Sequence, residues 1–387
     1  MRNISLIGGM TLLAVASLTI MVGCVIVPGL PAISSHLHVE QFSGWLVTLP
    51  ALGVVLFGPL TTKIIKQIGL YRTLCSGLFF YGLLGSAGAF LQGHVLLLAD
   101  RFLLGGVTAL VMTSGTGLIS EFYQGSQRLK MIAMQGMSIE LGGVIFLFSG
   151  GLLATMHWAS PFSLYLFAWI LLGMVLGFVP KKVGVFAVQN SDVINSENTS
   201  MAVKITWISA LVSMIIFFTA IILLPIHLKK MAITSSQTGT FLSFISLVAV
   251  GAAWVMPKMV RKISEVHTLI TAFLFYAIGH VIFSLTTSIY VMILGAIAMG
   301  SGFGLSVPLV NHLVLILSPA NMRSRNLARL SMAIFSGQFL SSFMGYIPGS
   351  MAAAFSVTAL LSLLISIYLY LNRKSFKDGR MEHTGCL

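Results

Sequence analysis

Apolar stretches of about 18 residues or more recur along nearly the whole chain, separated by short polar turns. Each is long enough to cross the roughly 30 Å hydrocarbon layer of a bilayer. Lipid offers the backbone no water, so such a stretch must satisfy its own N–H and C=O groups as helix. The pattern predicts twelve spanning helices, at roughly 7–29, 43–62, 73–92, 95–120, 131–154, 161–180, 205–228, 238–257, 268–287, 290–317, 330–350 and 355–372. Connections are short except for 181–204. That segment holds Lys181, Lys182, Asn190, Asp192, Glu197 and Asn198 and reads as a flexible polar linker. The expected fold is an all-α membrane protein: a six-helix bundle at 1–180, a cytoplasmic linker at 181–204, a second six-helix bundle at 205–372 and a cytoplasmic tail at 373–387.

Orientation follows from the polar turns. If the N-terminus lies inside, 19 of the 22 Lys and Arg residues fall on the cytoplasmic side; only Lys229 and Lys230 fall outside, and Arg101 lies within a span. A multi-pass protein of the inner or plasma membrane is expected, with both termini cytoplasmic. The opening Met1-Arg2-Asn3 and the apolar run to Pro28 are read as a retained first span, because the run is long for a signal peptide and no A-x-A-type site follows.

The two halves repeat. A shift of 195 residues carries Gly44 onto Gly239, Lys63 onto Lys258, Lys66 onto Arg261 and Gly105 onto Gly300. The same shift carries Arg128 onto Arg323, Lys130 onto Arg325, Gly142 onto Gly337 and Gly150 onto Gly345. Eight matches in one register point to parallel repeats related by pseudo-twofold symmetry, an arrangement in which a solute site sits near the membrane midplane. Glycines at matched depths also serve close helix packing.

Composition excludes several classes. Charged residues are 8% of the chain, against about 25% in soluble domains, so no soluble basic domain is present to grip nucleic acid despite the net charge of +13. Cys24, Cys75 and Cys386 lie at no metal-binding spacing, and neither a metal nor another cofactor is expected. No phosphate loop of the G-x-x-x-x-G-K-[ST] type occurs, which argues against ATP as the energy source. No nucleophile with an orienting base stands out, so an enzyme is not expected.

Several segments together resemble the major facilitator superfamily (MFS), most closely its twelve-span drug:proton antiporter branch. The loop Thr62–Arg72 is similar to the family motif after span 2, with Gly69 and Arg72 in place and Lys66 where an acidic residue is usual. Arg101 followed by Gly105 resembles the span 4 motif. Gly142 through Gly150 and Gly151 resembles the glycine-rich span 5 motif of exporters, with Phe146-Leu147 at its central Gly-Pro. The resemblance implies an MFS fold, a gating role for the loop of Lys63, Lys66, Gly69 and Arg72, and packing or gating roles for Gly105, Gly142, Gly150 and Gly151. For Arg101 it implies a place lining the cavity or tuning a nearby acid.

Ionisable residues inside apolar spans are costly and by default mark a solute or ion pathway. Glu140 falls roughly 13 Å from the inner end of its span, and the repeat puts Phe335 at the matching place. A carboxyl group that gains and loses a proton can couple proton flow to a conformational change; a Glu bonded between helices as packing glue is the other reading. Asp100 and Arg101 fall about 8–9 Å inside the outer end of span 4 and, pointing about 100° apart, need not pair. Glu140 and Asp100 are the candidate proton-coupling residues. Arg101, Glu140, His280, Asn311 and His312 are the candidate cavity residues, although a lone buried histidine is more often a packing residue.

The expectation is a monomeric, proton-coupled secondary transporter that exports a small drug-like compound or metabolite by alternating access. The alternatives are export of an anionic or zwitterionic metallophore or carboxylate metabolite, favoured by Arg101 and the two histidines, and import of a small metabolite.

Overall fold

The computed structural model of the protein describes residues 4–181, 199–319 and 321–376. The expected linker is therefore outside the described residues over 182–198, as is the expected tail over 377–387. The described residues are mostly helical, and none of them forms a strand. The first half holds α1 (Leu6–Cys24), α2 (Leu30–His36), α3 (Ser43–Ile68), α4 (Leu70–Ala87), α5 (His94–Phe122), α6 (Gly125–Met156) and α7 (Phe167–Phe178). The second half holds α8 (Met201–Lys230), α9 (Ser235–Ile263), α10 (Glu265–Leu285), α11 (Ile289–Leu317), α12 (Arg323–Leu340) and α13 (Met351–Leu371). Short 3-10 segments at Glu40–Phe42, Ser160–Leu166 and Ser341–Tyr346 lead into or out of these helices.

Ten helical segments among the described residues are long and apolar enough to cross a membrane, not the expected twelve. The two that fall short are α4 and α12. Helix α4 ends at Ala87 before Gly88, short of the expected position 92. Helix α12 starts in the basic turn, so Arg323, Arg325 and Arg329 occupy its first half and leave little apolar length before it tightens into the 3-10 segment at Ser341. The first span is shorter than expected for a local reason. Pro28 and Pro31 cannot continue a helix from within, so α1 stops at Cys24 and α2 restarts with a proline in its first turn.

The chain divides into two compact units. One is Met1–Val188 with Pro225–Ser243; the other is Gln189–Leu224 with Phe244–Leu387. The tip of the α8–α9 hairpin belongs to the first unit. In the first unit α1 packs on α5, α6 and α7, α3 lies along α5, and α4 joins α5 to α7. In the second, α10 packs on both α11 and α13.

The internal repeat is visible atom by atom within each unit. The space a side chain would need at Gly105 is filled by the Pro50 carbonyl; at Gly300 it is filled by the Ile245 carbonyl, 195 residues on from Pro50. Tyr81 donates to the Leu18 carbonyl at 2.7 Å, and its counterpart Tyr276 bonds Ser213, the counterpart of Leu18, at 3.0 Å. The turn between α3 and α4 is a single residue, Gly69, at φ 81° and ψ 161°. Its counterpart between α9 and α10 is Ser264 at φ 80° and ψ 165°. Thr73 and Thr268 then close the two turns identically, each bonding the carbonyl of the turn residue at 2.7 Å.

Candidate functional site

Helix α6 carries two working faces. On the first, Gly142 and Gly150 allow α6 to lie directly on α1; a Cβ at Gly142 would come within 2.8 Å of Ser17 Cβ, and one at Gly150 would strike the Val25 carbonyl. On the second, Glu140, Val144, Leu147 and Gly151 are spaced four, three and four residues apart, so they form one stripe. The outer part of that stripe is closed by the hairpin tip. Gly151 and Gly239 meet backbone to backbone, a Cβ on either lying 2.8 Å from the other's Cα. Ser243 Oγ donates to the Val144 carbonyl at 3.0 Å.

Glu140 is the next position on this stripe toward the basic end of α6, one turn beyond Val144. It is half-buried. Among the described residues it accepts no hydrogen bond and joins no ion pair; the titratable group within electrostatic reach of it is the Cys24 thiol of α1. A Glu acting as interhelical glue needs a bonded partner, and Glu140 has none in this conformation. The energetics of an unpartnered carboxyl group in apolar surroundings turn on whether it holds a proton.

Asp100 and Arg101 are arranged differently. The long Arg101 side chain curls back, so the two adjacent residues pair: Nη2 and Nε lie 2.8 and 3.1 Å from Asp100 Oδ2. Nη2 also donates to the carbonyls of Leu84 and Gly85 at 3.2 Å, and the guanidinium lies 5.4 and 5.5 Å from the ring centroids of Phe162 and Tyr165. Tyr165 in turn donates to the Val22 carbonyl at 2.8 Å. Arg101 is 0% exposed and Asp100 5%, so the pair ties α5 to α4, to the Ser160–Leu166 segment and, through Tyr165, to α1. Arg101 offers no surface to a cavity here.

The second unit fills the matching place with other chemistry. Gly295 and Ala296 stand where the first unit has Asp100 and Arg101, and His280 stands where it has Gly85. A histidine thus stands at the glycine's place and an alanine at the arginine's. His280 is 0% exposed; its Nε2 donates to the Ile216 carbonyl at 3.1 Å, and its ring packs against the contacting pair Phe283 and Phe355. Asn311 and His312 are exposed on α11, with Asn311 Nδ2 turned back onto the Val307 carbonyl at 2.9 Å. Lys63 and Lys66 are exposed on the last turns of α3, and Arg72 on the first turn of α4, either side of Gly69.

The geometry therefore gathers Arg101 with Asp100, isolates Glu140, and encloses His280. Sequence reading passed over Tyr81, Tyr165 and the buried hydroxyl cluster of Ser213, Tyr276 and Ser306, whose oxygens lie 2.9–3.1 Å apart. The 195-residue register pairs Tyr81 with Tyr276 and Thr73 with Thr268, and would have drawn attention to both pairs.

Comparison with curated proteins finds no match. Among solved structures, the chain is similar to a D-xylose-proton symporter, with TM-score 0.75 and 17% identity over 95% of this chain and 98% of that one. It is similar to a mutant of the nucleoside transporter NupG, with TM-score 0.78 and 10% identity over 94% and 99% of the two chains. It is also similar to a mutant of the peptide transporter POT, with TM-score 0.75 and 13% identity over 96% and 95%. At these identities the likeness shows a shared fold. The profile of the Major Facilitator Superfamily matches residues 9–342. With most of its length matched, the chain belongs to the Major Facilitator Superfamily and is a multi-pass secondary transporter of the membrane rather than an enzyme.

Proposed function

We propose that this transporter couples the export of a small organic molecule to proton movement, by alternating access, with Glu140 as the proton-exchanging group. The observation that carries the reading is the isolation of Glu140: a carboxyl group on α6 that forms no ion pair and no hydrogen bond among the described residues. Asp100 is a weaker candidate for the same role, because its Oδ2 is already held by Arg101. Proton coupling has a precedent on this fold in the D-xylose-proton symporter. Export follows from the likeness of Gly142–Gly151 to the exporter motif.

Twelve spans remain the proposed count. At the 195-residue offset α4 corresponds to α10, and α12 to α6, and both counterparts are apolar enough to cross. The basic residues then place both termini in the cytoplasm.

A neutral or cationic drug-like cargo is favoured over an anionic one. Arg101 is engaged by Asp100, and His280 is sealed between α8 and an aromatic pair, so neither is free to receive a carboxylate. The test is a compound screen in cells lacking the protein, followed by uptake into everted vesicles. Proton-driven accumulation of a neutral or cationic hit in everted vesicles, lost in Glu140→Gln, is expected. Accumulation in intact cells instead would make the protein an importer, and a hit list of carboxylates would reverse the cargo assignment.

A further inference from the structure

Helix α6 packs on the Ser160–Leu166 segment and on α1, and α7 packs on α1 as well. Between α6 and α7 lies an apolar crevice of about 870 Å³, floored by α1 at Met10, Ala14 and Ser17. Its α6 wall includes Met134, Ser138 and Ile145; Trp169 and Ile170 stand opposite. Ile145 and Ile170 are 59% and 62% exposed, so the crevice opens outward rather than into the packed interior of the unit. Of the four serines that line it, Ser17 is bonded to the Ala14 carbonyl and Ser163 to the Ser160 carbonyl, which leaves Ser138 and Ser149 as the polar groups of an otherwise apolar wall.

The wall also has a charged end. Lys130 is exposed one helical turn before Met134, and Lys130, Met134, Ser138 and Leu141 follow one face of α6 at spacings of four, four and three. From Met134 to Ser149 the wall runs about 22 Å, longer than one leaflet of a hydrocarbon core about 30 Å thick. A cation at the interface above a leaflet-deep apolar slot is complementary to an anionic phospholipid: phosphate on the ammonium, acyl chain in the slot.

We propose that this crevice is a binding site for one anionic phospholipid, selected by Lys130. The lipid chain fills the wedge that α6 and α7 leave open on α1, so it braces α6, the helix that carries Glu140 on its other face. The site is independent of the transport reading above.

Trp169 in the crevice supplies the probe. Purified full-length protein in detergent is titrated with dibrominated phosphatidylglycerol or dibrominated phosphatidylcholine, and the Trp169 signal is isolated by subtracting the Trp169→Phe protein. The expected result is saturable quenching by phosphatidylglycerol, weakened about fivefold in Lys130→Gln, the effect of one interfacial basic residue. Phosphatidylcholine should quench weakly and be indifferent to that variant. Equal saturable quenching by both lipids would assign the slot to a neutral lipid or apolar solute and overturn the proposal. So would the absence of saturable quenching, or protein self-association that excludes both lipids.

Discussion

Glu140 and Arg101 are both ionisable residues inside apolar helices, yet their surroundings are opposite: one is unpaired among the described residues, the other fully engaged. Arg101 has its guanidinium bonded to Asp100 and two carbonyls and flanked by two aromatic rings. Removing one partner of a buried pair strands the other, at a cost of about 3–5 kcal/mol. Arg101→Ala is therefore expected to lower thermal stability in detergent severely, whereas Lys229→Ala, which loses one exposed 3.4 Å contact to the Pro31 carbonyl, should change little. A double-mutant cycle of Asp100→Asn and Arg101→Gln should show the two costs to be strongly non-additive; additive costs would mean the pair is not energetically coupled. Glu140→Gln has no such partner to strand. It should leave stability unchanged and remove only the proposed proton exchange.

At the scale of helices, the crossings are set by glycines at places where backbone meets backbone. A methyl group at Gly105 meets the Pro50 carbonyl and one at Gly300 meets the Ile245 carbonyl, neither of which can swing aside. Gly105→Ala and Gly300→Ala should each cost about 1–3 kcal/mol, read as a lowered unfolding temperature. Gly136 has nothing within 4 Å of the added methyl, so Gly136→Ala should be neutral or stabilising by up to about 1 kcal/mol. The two one-residue turns make a second pair. Gly69→Ala forces a side chain into a left-handed conformation and should destabilise by about 1 kcal/mol, while Ser264→Gly relieves that strain and gives up the 2.9 Å contact with His267. The helices and their register were legible in the sequence because hydropathy and a constant offset do not depend on tertiary detail. The Asp100–Arg101 pairing was not, since helical geometry sends adjacent side chains apart and only the aromatic wall of Phe162 and Tyr165 turns the arginine back. The shortfall of α4 and α12 was equally hidden, because it depends on where α4 ends and on where α12 begins among its own arginines.

For the whole molecule, the decisive feature is that the tip of the α8–α9 hairpin packs with the first unit, through Gly239 on Gly151 and Ser243 on Val144. In the proposed transport cycle this contact parts and re-forms. In a protein freed of its native cysteines, Val144→Cys with Ser243→Cys should cross-link under mild oxidation and stop transport, with activity restored on reduction. A cross-linked protein transporting at full rate would show that the contact never opens. The sequence signalled these residues only in part: Gly151 lay in a recognised motif and Gly239 in the repeat, but nothing in either said that they touch.

The central claim is that Glu140 exchanges a proton for cargo, and a pH-sensitive dye sealed in proteoliposomes tests it most directly. Adding a compound identified in the screen should set protons moving across the membrane in the parent protein, and should move none in Glu140→Gln of equal stability and equal cargo binding. Undiminished cargo-driven proton movement in Glu140→Gln would contradict the account.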